Sequence, residues 1–173
     1  MSDFLRPSFR VAFLLGFAAC AALMAYALYS QYVLHLEPCP LCIFQRIAMI
    51  GLGLVFLAGG LAGPKSLLGR GFWAVLATLV AIAGATVSAR HMWIQSLPPD
   101  KVPACGAPLK DMLQMVKYGG TTYGKVIVKV FEGSGECAKI NWIFLGLTMP
   151  AWVLICFAAL AAWALLAGFR RRA

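Results

Sequence analysis

Charge is scarce in this sequence, and acid is scarcer still. Of 173 residues only 12% are charged, with 15 lysines and arginines against 6 aspartates and glutamates. A soluble domain carries about a quarter charged residues, and 62% of this chain is hydrophobic, so the composition points away from a soluble fold and toward a membrane. A basic face interleaved with aromatics is also missing, so the net charge of +9 does not announce a nucleic-acid binder. Polar residues inside the apolar runs amount to little more than Gln45, Arg46, Thr78, Thr86 and Ser88, which disfavours a transporter, whose path needs polar groups at depth. There is no internal repeat and no second Cys-x-x-Cys.

What is present is apolar sequence in runs of the length that crosses a bilayer, about 17–25 residues. Four candidate spans lie at about 11–29, 43–63, 72–89 and 150–169. Arg6 and Arg10 precede the first, in the manner of a signal peptide, but the run is too long for a typical h-region and lacks a clear small-x-small site before the cysteines. It is expected to be a retained helix. The short loop at about 30–42 and the turn at Gly63-Pro64 make neighbouring spans antiparallel. The fold class expected is all-α: an integral membrane antiparallel four-helix bundle in one domain, with one short loop and one long loop at about 90–149. Trp142–Met149, ahead of the last span, is expected at the membrane interface.

Four spans leave both termini on one side. Arg6, Arg10, Lys65, Arg70, Arg170, Arg171 and Arg172 crowd the span ends there, whereas the opposing lysines are spread through the long loop. Density near the span ends therefore favours cytoplasmic termini. In the long loop, the prolines of "SLPPDKVPACGAP" forbid a continuous helix, and "GGTTYGKVIVKVF" reads as a short strand or a segment lying on the membrane surface.

Cys20 and Cys156 fall inside spans and read as small packing hydrophobes. Cys39, Cys42, Cys105 and Cys137 all fall on one face of the membrane. Three chemistries fit them. Structural disulfides are common outside the cytosol. A zinc site, with His35 or His91 as substitute ligands, suffers from the isolation of Cys105 and Cys137. Redox chemistry is signalled, though not uniquely, by Cys-x-x-Cys. Position favours the third. In "LEPCPLCIFQR", Pro38 and Pro40 hold off helix until about Leu41 or Cys42, which sets Cys42 at a helix N-terminus, and Arg46 follows at i+4 on the same face. Both features favour a thiolate. Taken singly, a headgroup-binding arginine and a proline loop stop account for them; together they favour chemistry.

The segments "EPCPLCIFQR", "RHMW", "ACGAP" and "GSGECAKINWIFLGLTMPAW" resemble the disulfide-bond formation protein B (DsbB) family of bacterial inner-membrane thiol oxidases, across the whole four-span layout. The resemblance implies a thiol:quinone oxidoreductase that reoxidises a periplasmic DsbA-like protein of thioredoxin fold. It implies that Cys105 and Cys137 form the pair that meets the partner and that Cys39 and Cys42 form the pair that passes electrons to ubiquinone or menaquinone. Arg46 and His91 are then expected beside the quinone. His35 stays a surface residue, and Trp93, Trp142 and Trp152 are expected as belt or packing residues. No resident metal is expected. A family variant serving a dedicated partner, and a non-enzymatic scaffold stapled by two disulfides, are the alternatives. A vitamin K epoxide reductase type of enzyme is disfavoured, because its Cys-x-x-Cys comes late in the bundle.

Overall fold

The computed structural model describes residues 8–36, 38–98, 109–120, 122–132, 135–138, 140 and 142–170. Four long helices carry the fold: α1 (Phe9–Tyr32), α2 (Pro40–Ala62), α3 (Leu67–Gln95) and α7 (Met149–Phe169). Each is long and apolar enough to cross a membrane, and the fold is an all-α antiparallel bundle. Three short helices, α4 (Leu109–Lys117), α5 (Tyr123–Glu132) and α6 (Gly135–Ala138), lie between α3 and α7.

Helices α1 and α3 start where serine side chains satisfy free N–H groups of their first turns. Ser8 accepts from the Val11 amide at 3.4 Å and Ser66 from the Gly69 amide at 3.1 Å. The helices also overrun the charge-free runs, most of all α3, which begins before Arg70 and continues past His91 to Gln95. Hydropathy alone stops a span at the first charge, whereas a helix continues if the polar side chain finds a protein partner. The turn after α2 closes on Gly63 at φ 51°, a left-handed conformation that glycine adopts without strain.

Phe13, Leu52, Phe56 and Phe157 are fully buried between the helices. Gly84 lets α3 meet α7, since a Cβ there would sit 2.3 Å from the Phe157 ring. Trp163 ties α7 to α1 through its indole N–H, 2.8 Å from the Ala12 carbonyl. Large apolar side chains such as Leu54, Leu61 and Leu79 point outward, which suits a multi-pass protein whose surrounding solvent is lipid.

The two ends of the bundle are built differently. At one end, Arg70 is buried and donates to the carbonyls of Ala167 and Arg170 at 3.2 and 2.6 Å. Arg10 donates to those of Gly60 and Leu61 at 3.1 and 2.9 Å. These bonds join the starts of α1 and α3 to the ends of α2 and α7, where helix carbonyls lack partners and a cation is favoured.

One expectation changes at the other end. The segment beginning GGTTYGKVIVKVF holds helix α5 rather than a strand, with Val126 buried against Cys39, Leu41 and Cys137. Tertiary packing has overridden its β-branched residues. The stretch before α7 carries a minimal antiparallel hairpin, β1 (Ile143–Phe144) and β2 (Leu147–Thr148). Leu145 and Gly146 turn it at φ 50° and 78°, positive values at both central positions that match the right-handed twist of the strands.

Candidate functional site

The site begins with the N-terminus of α2. Pro40 occupies the first turn, where its missing N–H costs nothing. Cys39 is the N-cap, and its sulfur accepts from the Cys42 amide at 3.3 Å. The helix therefore starts slightly earlier than Leu41 or Cys42. Capping brings the two sulfurs to 2.8 Å of each other.

α3 contributes His91, which is buried. Its Nε2 lies 3.1 Å from the Cys137 carbonyl, to which it donates, and 3.8 Å from the Cys39 sulfur. Its Nδ1 lies 3.4 Å from the Gln45 side-chain amide nitrogen and accepts from it. The ring also faces the Cys42 thiol. α6 contributes Cys137, which is 1% exposed. The Cys39 and Cys137 sulfurs and a His91 ring nitrogen all lie within 4.8 Å of one another. Cys39 keeps its proton well above the ordinary thiol range, first through hydrogen bonding with the Cys137 sulfur, then with that of Cys42, and then through burial. Leu41, Ile94 and Val126 close over this cluster, with Met112 and Val116 of α4 packed against it. Cys105 lies outside the described residues.

Beside the cluster is a cavity of about 1050 Å³ between α1, α2 and α7. Cys39, Cys42, Arg46, His91 and Gln95 supply polar groups to one part of its wall, and Leu23, Met24, Met49 and Val153 supply an apolar floor. Trp142, Phe144 and Trp152 form an aromatic row along it, with centroids 5.8 Å and 6.0 Å apart. The Trp152 indole, 3.0 Å from the Phe144 carbonyl, ties the hairpin to α7. Trp142 and Trp152 are thus cavity residues as well as packing residues. Arg46 lines the same cavity, but its guanidinium is held by α1: it donates to the Gln31 side-chain oxygen and to the Ala27 carbonyl, the latter at 3.0 Å. His35 is exposed. Cys20 is buried in the bundle, and Cys156 reaches the cavity wall.

The family profile of disulfide bond formation protein DsbB matches residues 9–167. The chain belongs to the DsbB family. Disulfide bond formation protein B of Xanthomonas euvesicatoria is 48% identical over 169 residues, covering 96% of this chain and 94% of that protein. That of Methylococcus capsulatus is 51% identical over 160 residues, covering 92% and 94%. That of Nitrosococcus oceani is 47% identical over 153 residues, covering 88% and 87%. As a DsbB-family membrane protein, the chain is an oxidoreductase of disulfide bond formation.

Within this DsbB-family site, the sequence pattern points to the cysteines and Arg46, the family resemblance adds His91, and both pass over Gln31. That glutamine stands four residues after Ala27, so both groups that hold Arg46 lie on one face of α1. The spacing was visible, but its relation to Arg46 on another helix was not.

Proposed function

We propose that this protein oxidises the dithiol of a periplasmic DsbA-like protein of thioredoxin fold and passes the electrons to a membrane quinone, ubiquinone or menaquinone. The observation that carries the proposal is the meeting of Cys39, Cys42 and His91 at the wall of the cavity, with Cys137 buried against Cys39 and His91. A partner thiolate attacks Cys105 of a Cys105–Cys137 disulfide, forming a mixed disulfide and releasing Cys137 as thiolate. The partner's second thiolate displaces Cys105 and leaves oxidised. Cys137 attacks Cys39 of the Cys39–Cys42 disulfide and releases the Cys42 thiolate; attack by Cys105 on Cys137 then returns the first disulfide and leaves Cys39 and Cys42 reduced. Each exchange is an in-line attack of sulfur on sulfur, and the net change is two partner thiols converted to one disulfide.

The two electrons and two protons left on Cys39 and Cys42 reduce the quinone to quinol, which restores the Cys39–Cys42 bond. A quinone ring fits what the cavity offers: apolar and aromatic walls with a few convergent polar groups, at a volume typical of small-molecule sites. Arg46, pinned to α1, presents fixed N–H groups and charge to that space, and Gln31 keeps it there. His91 holds a position between the cysteine pair and Cys137. The DsbA couple is itself strongly oxidising, at about −120 mV, so a glutathione-level acceptor cannot drain it, whereas a quinone kept oxidised by respiration can. In this reading the protein lies in the bacterial inner membrane, both termini are cytoplasmic and the cysteines face the periplasm.

The test is quinone reduction by the purified protein in detergent, supplied with a reduced thioredoxin-like dithiol, beside Cys42→Ser and Cys105→Ser. Loss of turnover in both variants is expected. Absence of turnover in the parent protein across several dithiols and quinones would overturn the proposal and leave a disulfide-stapled scaffold.

A further inference from the structure

An electron relay needs each pair of sulfurs to meet in turn. This site holds three sulfurs and an imidazole together at once. The Cys39 and Cys137 sulfurs and a His91 ring nitrogen are mutually within 4.8 Å, the Cys39–His91 pair at 3.8 Å, and the Cys42 sulfur is 2.8 Å from that of Cys39. In a tetrahedral zinc centre, with Zn–S near 2.3 Å and Zn–N near 2.0–2.1 Å, neighbouring donor atoms stand roughly 3.5–3.8 Å apart. Cys39, Cys137 and His91 stand close to those edges, and Cys42, in contact with Cys39, is the fourth donor the site offers. Three thiolates and an imidazole form a soft set that selects Zn²⁺ or Cu⁺ over hard cations.

The surroundings suit such a centre. The Gln45 amide already sits on Nδ1, 3.4 Å away. Turned end for end, its oxygen accepts a proton carried at Nδ1 and leaves the Nε2 lone pair to the ion, the outer-shell arrangement that orients ligating histidines. Leu41, Ile94 and Val126 shield the cluster from water.

We propose that the reduced cysteine cluster is a soft-metal site in which Zn²⁺ is bound by Cys39, Cys42, Cys137 and His91 and withholds the thiols from oxidation. The donor set exists only while no disulfide engages these cysteines, so the ion selects one redox state; it is a brake on the cycle rather than a resident centre. Binding moves no electrons: the three thiols give up their protons to solvent as the Zn–S bonds form. The site rests on the geometry alone, whereas its meaning as a brake on turnover rests on the function proposed above.

The test uses the full-length protein in detergent, reduced or oxidised beforehand with diamide, and titrated with Co²⁺ as a coloured substitute for Zn²⁺. The reduced protein is expected to bind one ion with thiolate-to-cobalt charge-transfer absorption, which Zn²⁺ abolishes by displacement, and the oxidised protein none. The absorption should vanish in Cys137→Ser and weaken in His91→Ala, with Cys20→Ala unchanged and circular dichroism verifying that all remain folded. Zinc at 100 times its dissociation constant should slow diamide oxidation of the thiols about 100-fold, counted by alkylation. Equal cobalt binding by both redox forms, or an undiminished band in Cys137→Ser, would overturn the site. These readouts do not use quinone, so a protein that binds the ion but never reduces quinone would sink the proposed function and leave the metal site standing.

Discussion

The two ends of this bundle use the same materials for opposite purposes. At the Arg70 end, two arginines are spent on the unpaired carbonyls of neighbouring helices, and the groups they hold have no further chemistry to perform. At the Cys39 end, Arg46 makes similar bonds to α1, yet it also fronts a cavity, and next to it sulfurs lie in contact without a bond. One end is clamped and the other faces a cavity. A buried arginine therefore says little by itself; what it faces after its hydrogen bonds are made separates a clamp from a site.

Substitutions at the two ends should pull this contrast apart. The largest effect belongs to Cys42→Ser, expected to bring quinone reduction to background while leaving the detergent melting temperature unchanged; a large drop in melting temperature would show that the cysteine end is structural too. Next, His91→Ala is expected to lower the rate by less than Cys42→Ser does, since His91 contacts the cysteines without exchanging electrons itself, and steady-state kinetics with the dithiol partner held saturating would measure it. At the opposite end, Arg70→Met removes two charged hydrogen bonds, each worth about 1.5–3 kcal/mol. Unfolding should become easier by a few kcal/mol, with turnover of the still-folded protein intact.

The last prediction concerns protons. Cys39 retains its proton above the range of an ordinary thiol, which ionises near pH 8.5, chiefly through its hydrogen bond with Cys137. Alkylation of reduced Cys39 should therefore stay slow as pH rises through 8 to 9, where an unperturbed thiol becomes reactive. Cys137→Ser should move its reactive range back down, and mass spectrometry of iodoacetamide-treated protein across pH would read both. A Cys39 that alkylates like a free thiol would mean the cluster is open to water.

Much of this was legible in the chain. Cys39 and Cys42 are placed by a local rule, a proline-bounded helix start with a capping side chain, and local rules are written in consecutive residues. Arg46 was visible as a charge at the lip of an apolar run, but its partners were not, because they belong to another helix. The helix at Tyr123–Glu132 is hard to read in the chain for a related reason: its lysines and β-branched residues suit a short strand or a segment on the membrane surface, and burial of Val126 over the cysteines chooses the helix over the strand.

By itself, then, the sequence determined the membrane character, the four helices and the capped cysteine pair, since transfer from water to lipid and the capping of a helix act over one segment at a time. The tertiary structure alone decided that His91, 52 residues from Cys39 along the chain, should touch its sulfur. It also decided that Cys137 should join them, that Arg46 should be pinned by Gln31 and that Arg70 should close the far end. Each of these is a meeting of side chains from different helices, set by how apolar surfaces interlock and where buried polar groups find partners.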